Sequence, residues 1–318
     1  VATYLDFERP IAELRAKIEE LSHTGEQAGV SLADEIERLR KRLDRAIDEI
    51  YGNLSRIQIC QLARHPDRPY FLDYAKRLFE DFTELHGDRH FGDDGAIVCG
   101  IARYHGVPVA VVGQQKGRDT KEKLHRNFGM PRPEGYRKAH RIFLLAERFG
   151  LPLLTFVDTP GAWPGIDAEE HGQSEAIARN LQTLCRLRVP IVSVVIGEGG
   201  SGGALAIGVG DRIYMQRFAT YSVISPEGCA AILWRDRSHA PQAAEALKPT
   251  AQDLLELGLI DGVIPEPKEG AHRDPDEAAR LIDATVHAAL QELMQQPVDA
   301  LLDARRKRLR SFGIWREE

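Results

Sequence analysis

The chain is poor in cysteine: Cys60, Cys99, Cys185 and Cys229 stand far apart in 318 residues, with no C-x-x-C pair. This spacing excludes a local zinc knuckle and fits reduced, partly buried thiols of a cytosolic protein. Cys229, which follows a loop, is the one candidate for a reactive thiol, against the simpler role of a small buried side chain. Long apolar runs are also missing. None approaches the length of a membrane span, and the N-terminus has no signal-peptide core. Nor is there an excess of positive charge: 42 Lys and Arg face 48 Asp and Glu, for a net charge of −6. That balance argues against a general nucleic-acid binder and leaves room for local basic patches. A hydrophobic content of 43% and a charged content of 28% are those of an ordinary globular protein. The length allows one large domain with a smaller appendage.

What the chain has in plenty is glycine at one place. Half of residues 197–210 (GEGGSGGALAIGVG) are glycine, directly after the apolar, β-branched run Val189–Ile196. The run reads as a buried strand over 190–196, and the residues from 203 to 208 as a helix. Glycines at such a junction let backbone N–H groups approach a ligand at a helix N-terminus, where they can hold a developing oxyanion. Tight packing at the turn is the competing use of the same glycines. Gly199–Gly203 also matches G-x-S-x-G, the serine-hydrolase elbow. A triad around Ser201 would need His239 or His272 with Asp253 or Asp261, and spacing does not rank them. Further upstream, the strand 153–158 leads into Asp158-Thr159-Pro160-Gly161, which has the form of a GTPase D-x-x-G. The G-x-x-x-x-G-K-[ST] loop that should accompany it is missing, the nearest stretch being Gly113–Arg118, and N-K-x-D is missing too, so a GTPase is excluded.

Around these motifs the chain divides into a helical start, an alternating middle and a helical end. Leu5, Ile11, Leu14, Ile18 and Leu21 form one apolar stripe, and Ile36, Leu39, Leu43, Ile47 and Ile50 a second. A polar turn over 22–30 separates them, and Ser31 begins an acidic N-cap box. This predicts a helical hairpin whose narrow seam must dock on the body or on a partner. A third helix is expected over 70–85, then a hairpin of strands 96–104 and 107–113 about His105-Gly106. Helices at 135–149 and 169–187 alternate with the strands, and short strands follow at 212–216 and 221–224. Ser225-Pro226-Glu227 supplies an N-cap, a first-position Pro and an acidic first turn. The stretch 265–275 reads as a linker, and helices at 276–295 and 298–311 close the chain.

Residues 116–141 are strongly basic, with nine Lys and Arg around a Pro- and Gly-rich middle, 128–135. The segment suits an anionic ligand or an acidic partner as well as it suits a solvated surface strip.

Five segments together resemble the α subunit of the carboxyltransferase of multisubunit acetyl-CoA carboxylase. They are 116–138 (KGRDTKEKLHRNFGMPRPEGYRK), 158–165 (DTPGAWPG), 172–180 (GQSEAIARN), 197–210 and 222–229 (SVISPEGC). The opening Leu5-Asp6-Phe7-Glu8 fits as well, so the resemblance covers essentially the whole chain. Trp163 stands where the family has Tyr. The resemblance implies an α/β fold of the crotonase type, a spiral of repeated ββα units with an N-terminal helical hairpin and C-terminal helices. Residues 1–60 would form the docking extension and 61–318 the carboxyltransferase domain.

The resemblance further implies transfer of a carboxyl group from carboxybiotin, on a carrier protein, to acetyl-CoA, giving malonyl-CoA for fatty acid biosynthesis. Oxyanions on the biotin ureido group and on the thioester each need a pair of N–H donors, and the freed biotin nitrogen can take the methyl proton, so no protein base is required. Gly202 and Gly203 are the expected donors toward biotin, with Gly199, Gly200 and Ala204 beside them. Lys116, Arg118, Lys121, Gly161, Ala162, Ser225, Pro226, Glu227 and Gly228 are the expected substrate contacts. Implied partners are a zinc-ribbon β subunit in an α2β2 assembly, biotin carboxyl carrier protein and biotin carboxylase. No metal is expected on this chain, and no membrane or nucleic acid. The expected compartment is the cytoplasm, or the plastid stroma in a plant. Two other readings remain at this level: a crotonase-like acyl-CoA hydrolase or decarboxylase acting without biotin, and a serine hydrolase using Ser201.

Overall fold

The computed structural model describes residues 3–28 and 32–313. Two long helices open the chain, α1 (Arg9–Ala28) and α2 (Ala33–Gly52). α1 runs on into the expected turn as far as Ala28, while the rest of that turn and the Ser31 cap lie outside the described residues. The hairpin docks on the body through a small core of Ile11, Ile47, Tyr51, Leu62 and Phe218. Beneath it the Tyr51 hydroxyl donates to the fully buried Glu8. Two short helices follow, α3 (Arg56–Ala63) and α4 (Phe71–Leu78). The second half of the predicted helix 70–85 is instead an edge strand, β1 (Glu80–Glu84), because Glu80, Thr83 and Glu84 pair with the next strand.

β2 (Ile97–Tyr104) and β3 (Val107–Gln114) form the predicted hairpin. His105 (φ +47°) and Gly106 (φ +79°) both adopt the left-handed conformation such a two-residue turn needs. The chain then winds through α5 (Thr120–His125), α6 (Pro133–Phe149), β4 (Leu153–Thr159), α7 (Ile166–Glu170) and α8 (Gln173–Leu184). The helix expected over 169–187 is thus broken at Gly172, whose φ of +80° interrupts it. β5 (Ile191–Gly200) and α9 (Ser201–Leu205) come next, followed by β6 (Arg212–Gln216), β7 (Thr220–Ser222), α10 (Pro226–Leu233), α11 (Ala240–Leu247), α12 (Ala251–Glu256) and β8 (Gly262–Ile264). α13 (Pro275–Met294) and α14 (Val298–Arg310) end the chain.

The strands form one sheet in the order β1-β2-β3-β4-β5-β6-β8, parallel from β3 onward, with β7 paired to the far end of β5. Both faces are covered, so the inner strands are mostly apolar, as a parallel sheet under helices requires. Alternation still assigns the faces. Val112, Leu153, Val157, Ile191 and Val195 join the core that also contains Tyr136 and Phe143 of α6. Val111, Leu154, Phe156, Val192 and Val194 join the core with Phe71 and Tyr74 of α4 and Ile282 and Leu290 of α13. Among the described residues, no helix is long and apolar enough to cross a membrane.

Two buried arginines fix the ends of this sandwich. Arg305 on α14 binds Asp211 through two bonds of 2.7 Å and donates to the carbonyls of Leu184, Leu187 and Val189. Arg68 binds both carboxylate oxygens of Glu266 at 2.8 Å and donates to the Ile196 carbonyl. Glu266 also accepts N–H groups of Phe218 and Ala271. The stretch 265–275 is therefore no linker: its Pro and charge content serves a packed, hydrogen-bonded crossing. Removing one member of a buried ion pair strands the other. Arg305→Met should lower the unfolding free energy by about 3–5 kcal/mol in equilibrium urea denaturation. The exposed Arg306–Asp303 pair provides the contrast: Arg306→Met should change it by less than about 1 kcal/mol.

Candidate functional site

Strands β3, β4 and β5 end side by side, and the crevice outside the carboxyl ends of parallel strands is where such sheets bind ligands. The sheet carries β5 four residues beyond the expected strand, to Gly200, so the helix starts at Ser201 instead of at residue 203. The expected strand 221–224 is correspondingly β7, which pairs Tyr221 with Gly199 and Ser222 with Gly200.

Packing dictates most of the glycines. A Cβ at Gly197 would strike the Asp158 carboxylate, one at Gly199 the Tyr221 ring, and one at Gly200 the Pro160 carbonyl. At Gly203 it would come within 2.5 Å of both the Ala162 nitrogen and the Gly161 carbonyl carbon. The turn from β5 to α9 thus lies backbone against backbone on the loop after β4. Gly202 differs: its nearest neighbours would be Ile177 methyls at 3.8 Å, an ordinary contact.

The N–H groups of Gly202 and Gly203 belong to the first turn of α9 and have no intrahelical acceptor. The Gly203 carbonyl, in contrast, is held. The fully buried Gln114, last residue of β3, donates from Nε2 to it at 2.8 Å and accepts the Asp158 N–H on Oε1 at 3.0 Å.

Below this turn lies a chain of buried charges. Lys116 Nζ sits 2.7 Å from Asp158 Oδ1 and 2.9 Å from Glu198 Oε1. Glu198 also binds Arg64, which reaches Glu227 on α10 at 3.0 Å. Burial disfavours both the Lys116 ammonium and the Glu198 carboxylate. The opposite charges outweigh it, raising the pKa of Lys116 and lowering that of Glu198. Ser225 caps α10 by accepting the Gly228 N–H, with Pro226 at the first position, as the sequence predicts. Ser225, Pro226, Cys60 and Arg64 line a small cavity shared with Gly199 and Gly200. Burial pushes the Cys60 thiol up to about 11 and the Cys99 thiol up to about 12, so both are inert, protonated side chains.

Ser201 is exposed and left-handed (φ +52°), a strained backbone for a residue other than glycine. Its hydroxyl has no hydrogen-bonded histidine, and the proposed triad partners are engaged elsewhere. His239 stacks on Trp234 and His272 on His65. Asp253 holds Arg56 and Thr250, and Asp261 holds Arg308 and the Ile213 N–H. No triad forms around Ser201.

The basic segment is largely neutralised from within. Lys116 is buried as described, so it is no free cation for a ligand. Arg118 binds Asp73 at 2.6 Å, donates to the Pro66 and Arg68 carbonyls and stacks over Tyr70. Arg132 pairs with Asp167 and lies over the Trp163 ring, whose Nε1–H donates to the same carboxylate. Arg137 and Lys138 bind Asp88 and Asp93. Arg126 and Arg141 bond only backbone carbonyls, and among the described residues the exposed Lys121 and Lys123 meet no acid. Next to the glycine turn is an apolar cavity of about 410 Å³, lined by Gly202, Leu205, Val209, Ile213, Tyr221 and Leu259 among others. Among the described residues, no group of three or more His, Cys, Asp or Glu is placed to hold a metal ion.

Sequence reasoning thus finds the glycine turn, Gly161-Ala162 and the α10 cap, which the fold brings together. It misses Gln114, Glu198 and Arg64. A charged residue inside an apolar and glycine-rich stretch, as Glu198 is, was the available signal.

Comparison with known proteins agrees with this geometry. The family described as acetyl co-enzyme A carboxylase carboxyltransferase-like matches residues 4–313. The acetyl-coenzyme A carboxylase carboxyl transferase subunit alpha of Thioalkalivibrio sulfidiphilus is 60% identical over 314 residues, 99% of this chain and 98% of that one. Its counterpart from Burkholderia vietnamiensis is 58% identical over 315 residues, with the same coverage. Among solved structures, transcarboxylase 12S aligns with a TM-score of 0.59 at 21% identity, covering 72% of this chain and 42% of that one. A chain of a Pseudomonas malonate decarboxylase hetero-tetramer aligns with a TM-score of 0.54 at 21% identity, covering 70% and 89%. These structures share the crotonase-type fold expected from the sequence.

The backbone contact at Gly203 yields a stability test. Gly203→Ala drives a methyl into the Gly161–Ala162 backbone and should destabilise by about 1–3 kcal/mol, the scale of overpacking a filled site. Gly202→Ala, whose methyl meets only Ile177, should stay within about 1 kcal/mol of the parent, as read by urea denaturation midpoints.

Proposed function

As the chain belongs to the family of acetyl-CoA carboxylase carboxyltransferase α subunits, we propose that it moves a carboxyl group from carboxybiotin, borne on a separate carrier protein, to acetyl-CoA, giving malonyl-CoA. The observation that carries this reading is the pair of first-turn N–H groups of Gly202 and Gly203, beside an apolar cavity and at the carboxyl edge of a parallel sheet. Carboxybiotin supplies an activated carboxyl group, and its ureido oxygen gathers negative charge as that group leaves.

The residues present fit such a ring. The cavity walls of Leu205, Val209, Ile213 and Leu259 are apolar, as a bicyclic thioether ring requires, and Gly202 stands at its edge. In this reading the Gly202 and Gly203 N–H groups hold the ureido oxygen, with Gly199, Gly200 and Ala204 shaping the turn. Gly161 and Ala162 form the opposite backbone wall, and the Ser225–Gly228 cap supports the turn from the other side. Lys116 acts from beneath, by neutralising Asp158 and Glu198, and Arg118 by holding its loop to Asp73. Lys121, with Lys123, is left to meet an anionic substrate or carrier.

The second oxyanion, on the thioester, is assigned to a zinc-bearing β subunit in an α2β2 assembly. Biotin carboxyl carrier protein and biotin carboxylase complete the system in the cytoplasm. The hairpin of residues 1–60 is taken as the extension and residues 61–318 as the carboxyltransferase domain.

The test is malonyl-CoA-dependent carboxylation of free biotin, the reverse reaction. The chain alone should be inactive, and activity should appear on adding a β subunit; robust turnover by the single chain would refute the shared site. Gly203→Val does not probe the donors, because its side chain would collide with Gly161–Ala162. Replacing Gly202 or Gly203 with glycolic acid exchanges the N–H for an ester oxygen at nearly constant shape. One or both replacements should lower kcat by about a hundredfold or more, the scale of losing one oxyanion donor, with assembly intact. Reversing Lys121 and Lys123 to Glu should raise KM for malonyl-CoA or for the biotin substrate. Added salt should raise the wild-type KM more than that of the variant; equal KM values and equal salt dependence would make the two lysines mere surface.

A further inference from the structure

We infer that Gln114 is a positioning residue of the carboxyl-transfer site, holding the Gly203 carbonyl and, through the ψ torsion of Gly203, the turn that carries the Gly202 and Gly203 N–H groups. The inference rests on the placement of the oxyanion donors proposed above, and its ground is a geometric problem with a visible solution. Donors for an oxyanion act only if they are aimed before the charge develops. A run of glycines is poorly suited to that, since no Cβ limits its backbone angles. Some other group must stop the peptide planes from rotating.

Helix α9 does not do this by itself. It spans Ser201–Leu205, and its end tightens: Ala206 N–H reaches the Gly202 carbonyl, Ile207 N–H the Ala204 carbonyl and Gly208 N–H the Leu205 carbonyl. Among the described residues, the Gly203 carbonyl has no backbone donor. Its partner is the Gln114 amide, at 2.8 Å and with no solvent exposure. A trans peptide is planar, with its C=O and N–H pointing in opposite directions. Fixing the Gly203 oxygen therefore fixes the direction of the Ala204 N–H. It also fixes ψ of Gly203, the torsion a glycine would otherwise leave free.

The other end of the same side chain makes the anchor rigid. Gln114 Oε1 accepts the Asp158 N–H at 3.0 Å, at the mouth of the loop whose Gly161–Ala162 backbone packs on Gly203. Both partners are backbone groups of opposite kind, so they determine which end of the amide is oxygen and which nitrogen. One side chain of β3 thus ties the end of β4 to the turn after β5. A carboxylate at this position could keep the Asp158 bond but would face the Gly203 oxygen with a second oxygen. A protonated carboxyl could serve both.

The experiment uses the α chain reconstituted with its β partner and reads malonyl-CoA-dependent carboxylation of free biotin. Gln114→Met keeps the side-chain length and donates nothing. It should lower kcat by about tenfold to a hundredfold, the scale of a misaimed catalytic group, while both KM values stay within about threefold. Gln114→Glu adds a readout that loss of packing would not produce: its kcat relative to wild type should rise as the pH is lowered and the carboxyl becomes a donor, whereas the Gln114→Met ratio stays flat. If Gln114→Met does not assemble, the Gln114→Glu profile decides. A Met variant that assembles and turns over within threefold of wild type, or a Glu variant whose pH profile parallels wild type at reduced kcat, overturns the inference. Absence of β-dependent activity in the wild type would instead overturn the proposed function, so the two failures are distinguishable.

Discussion

The contact on which the rest of the site depends is the meeting of two backbones, Gly203 against Gly161–Ala162, with no side chain between them. It joins the turn after β5 to the loop after β4. It is possible only because residue 203 is glycine and because β4 and β5 lie side by side and end together. From that contact follow the buried position of Gly203, the exposed opening turn of α9 beside it, and the need for something other than side-chain bulk to hold the turn in place. The register of the sheet prepares it. Between Val157 and Thr159 of β4 the chain advances two residues, while β5 advances four, from Val195 to Gly199. This irregularity places Glu198 beside Lys116.

Beneath the turn, charge replaces bulk as the organising force. Lys116, Asp158, Glu198, Arg64 and Glu227 form a continuous series from the end of β3 to the start of α10. Each buried carboxylate in it meets a cation, which is the condition under which buried charge is tolerated. The arrangement also explains why the basic segment offers so little free charge: most of its cations have found acids within the fold. A surface that looks cationic in sequence is, in three dimensions, mostly a set of struts: five cations meet acids, Arg126 and Arg141 hold backbone carbonyls, and Lys121 and Lys123 are left over.

What was legible in the sequence was whatever leaves a periodic or local signature. The β2–β3 hairpin, the apolar strands 153–159 and 191–196, the α10 cap and both C-terminal helices all carry their own signals within a few residues. The failures share a physical cause, which is that distant partners overrode local pattern. Residues 80–84 suit a helix by spacing, but an edge of β2 was available to them. β5 runs into the glycines because β7, more than twenty residues later, pairs with them. The stretch 265–275 reads as a linker until Arg68 is brought across to Glu266. Likewise, the glycines were legible as a site, but not the fact that packing alone requires four of them. Gln114 was invisible as a functional residue, because nothing local marks a glutamine whose two partners lie 44 and 89 positions away.

The proposed role of the turn, presenting N–H groups to the ureido oxygen, can be tested directly in a structure. The decisive measurement is a crystal structure of the α/β complex with biotin bound. The account places the ureido oxygen about 2.7–3.1 Å from the Gly202 or Gly203 nitrogen, the distance range of oxyanion donors, with the ring against Leu205 and Ile213. Biotin bound with its ureido oxygen turned away from residues 201–204, or held by side chains elsewhere on the chain, would contradict it.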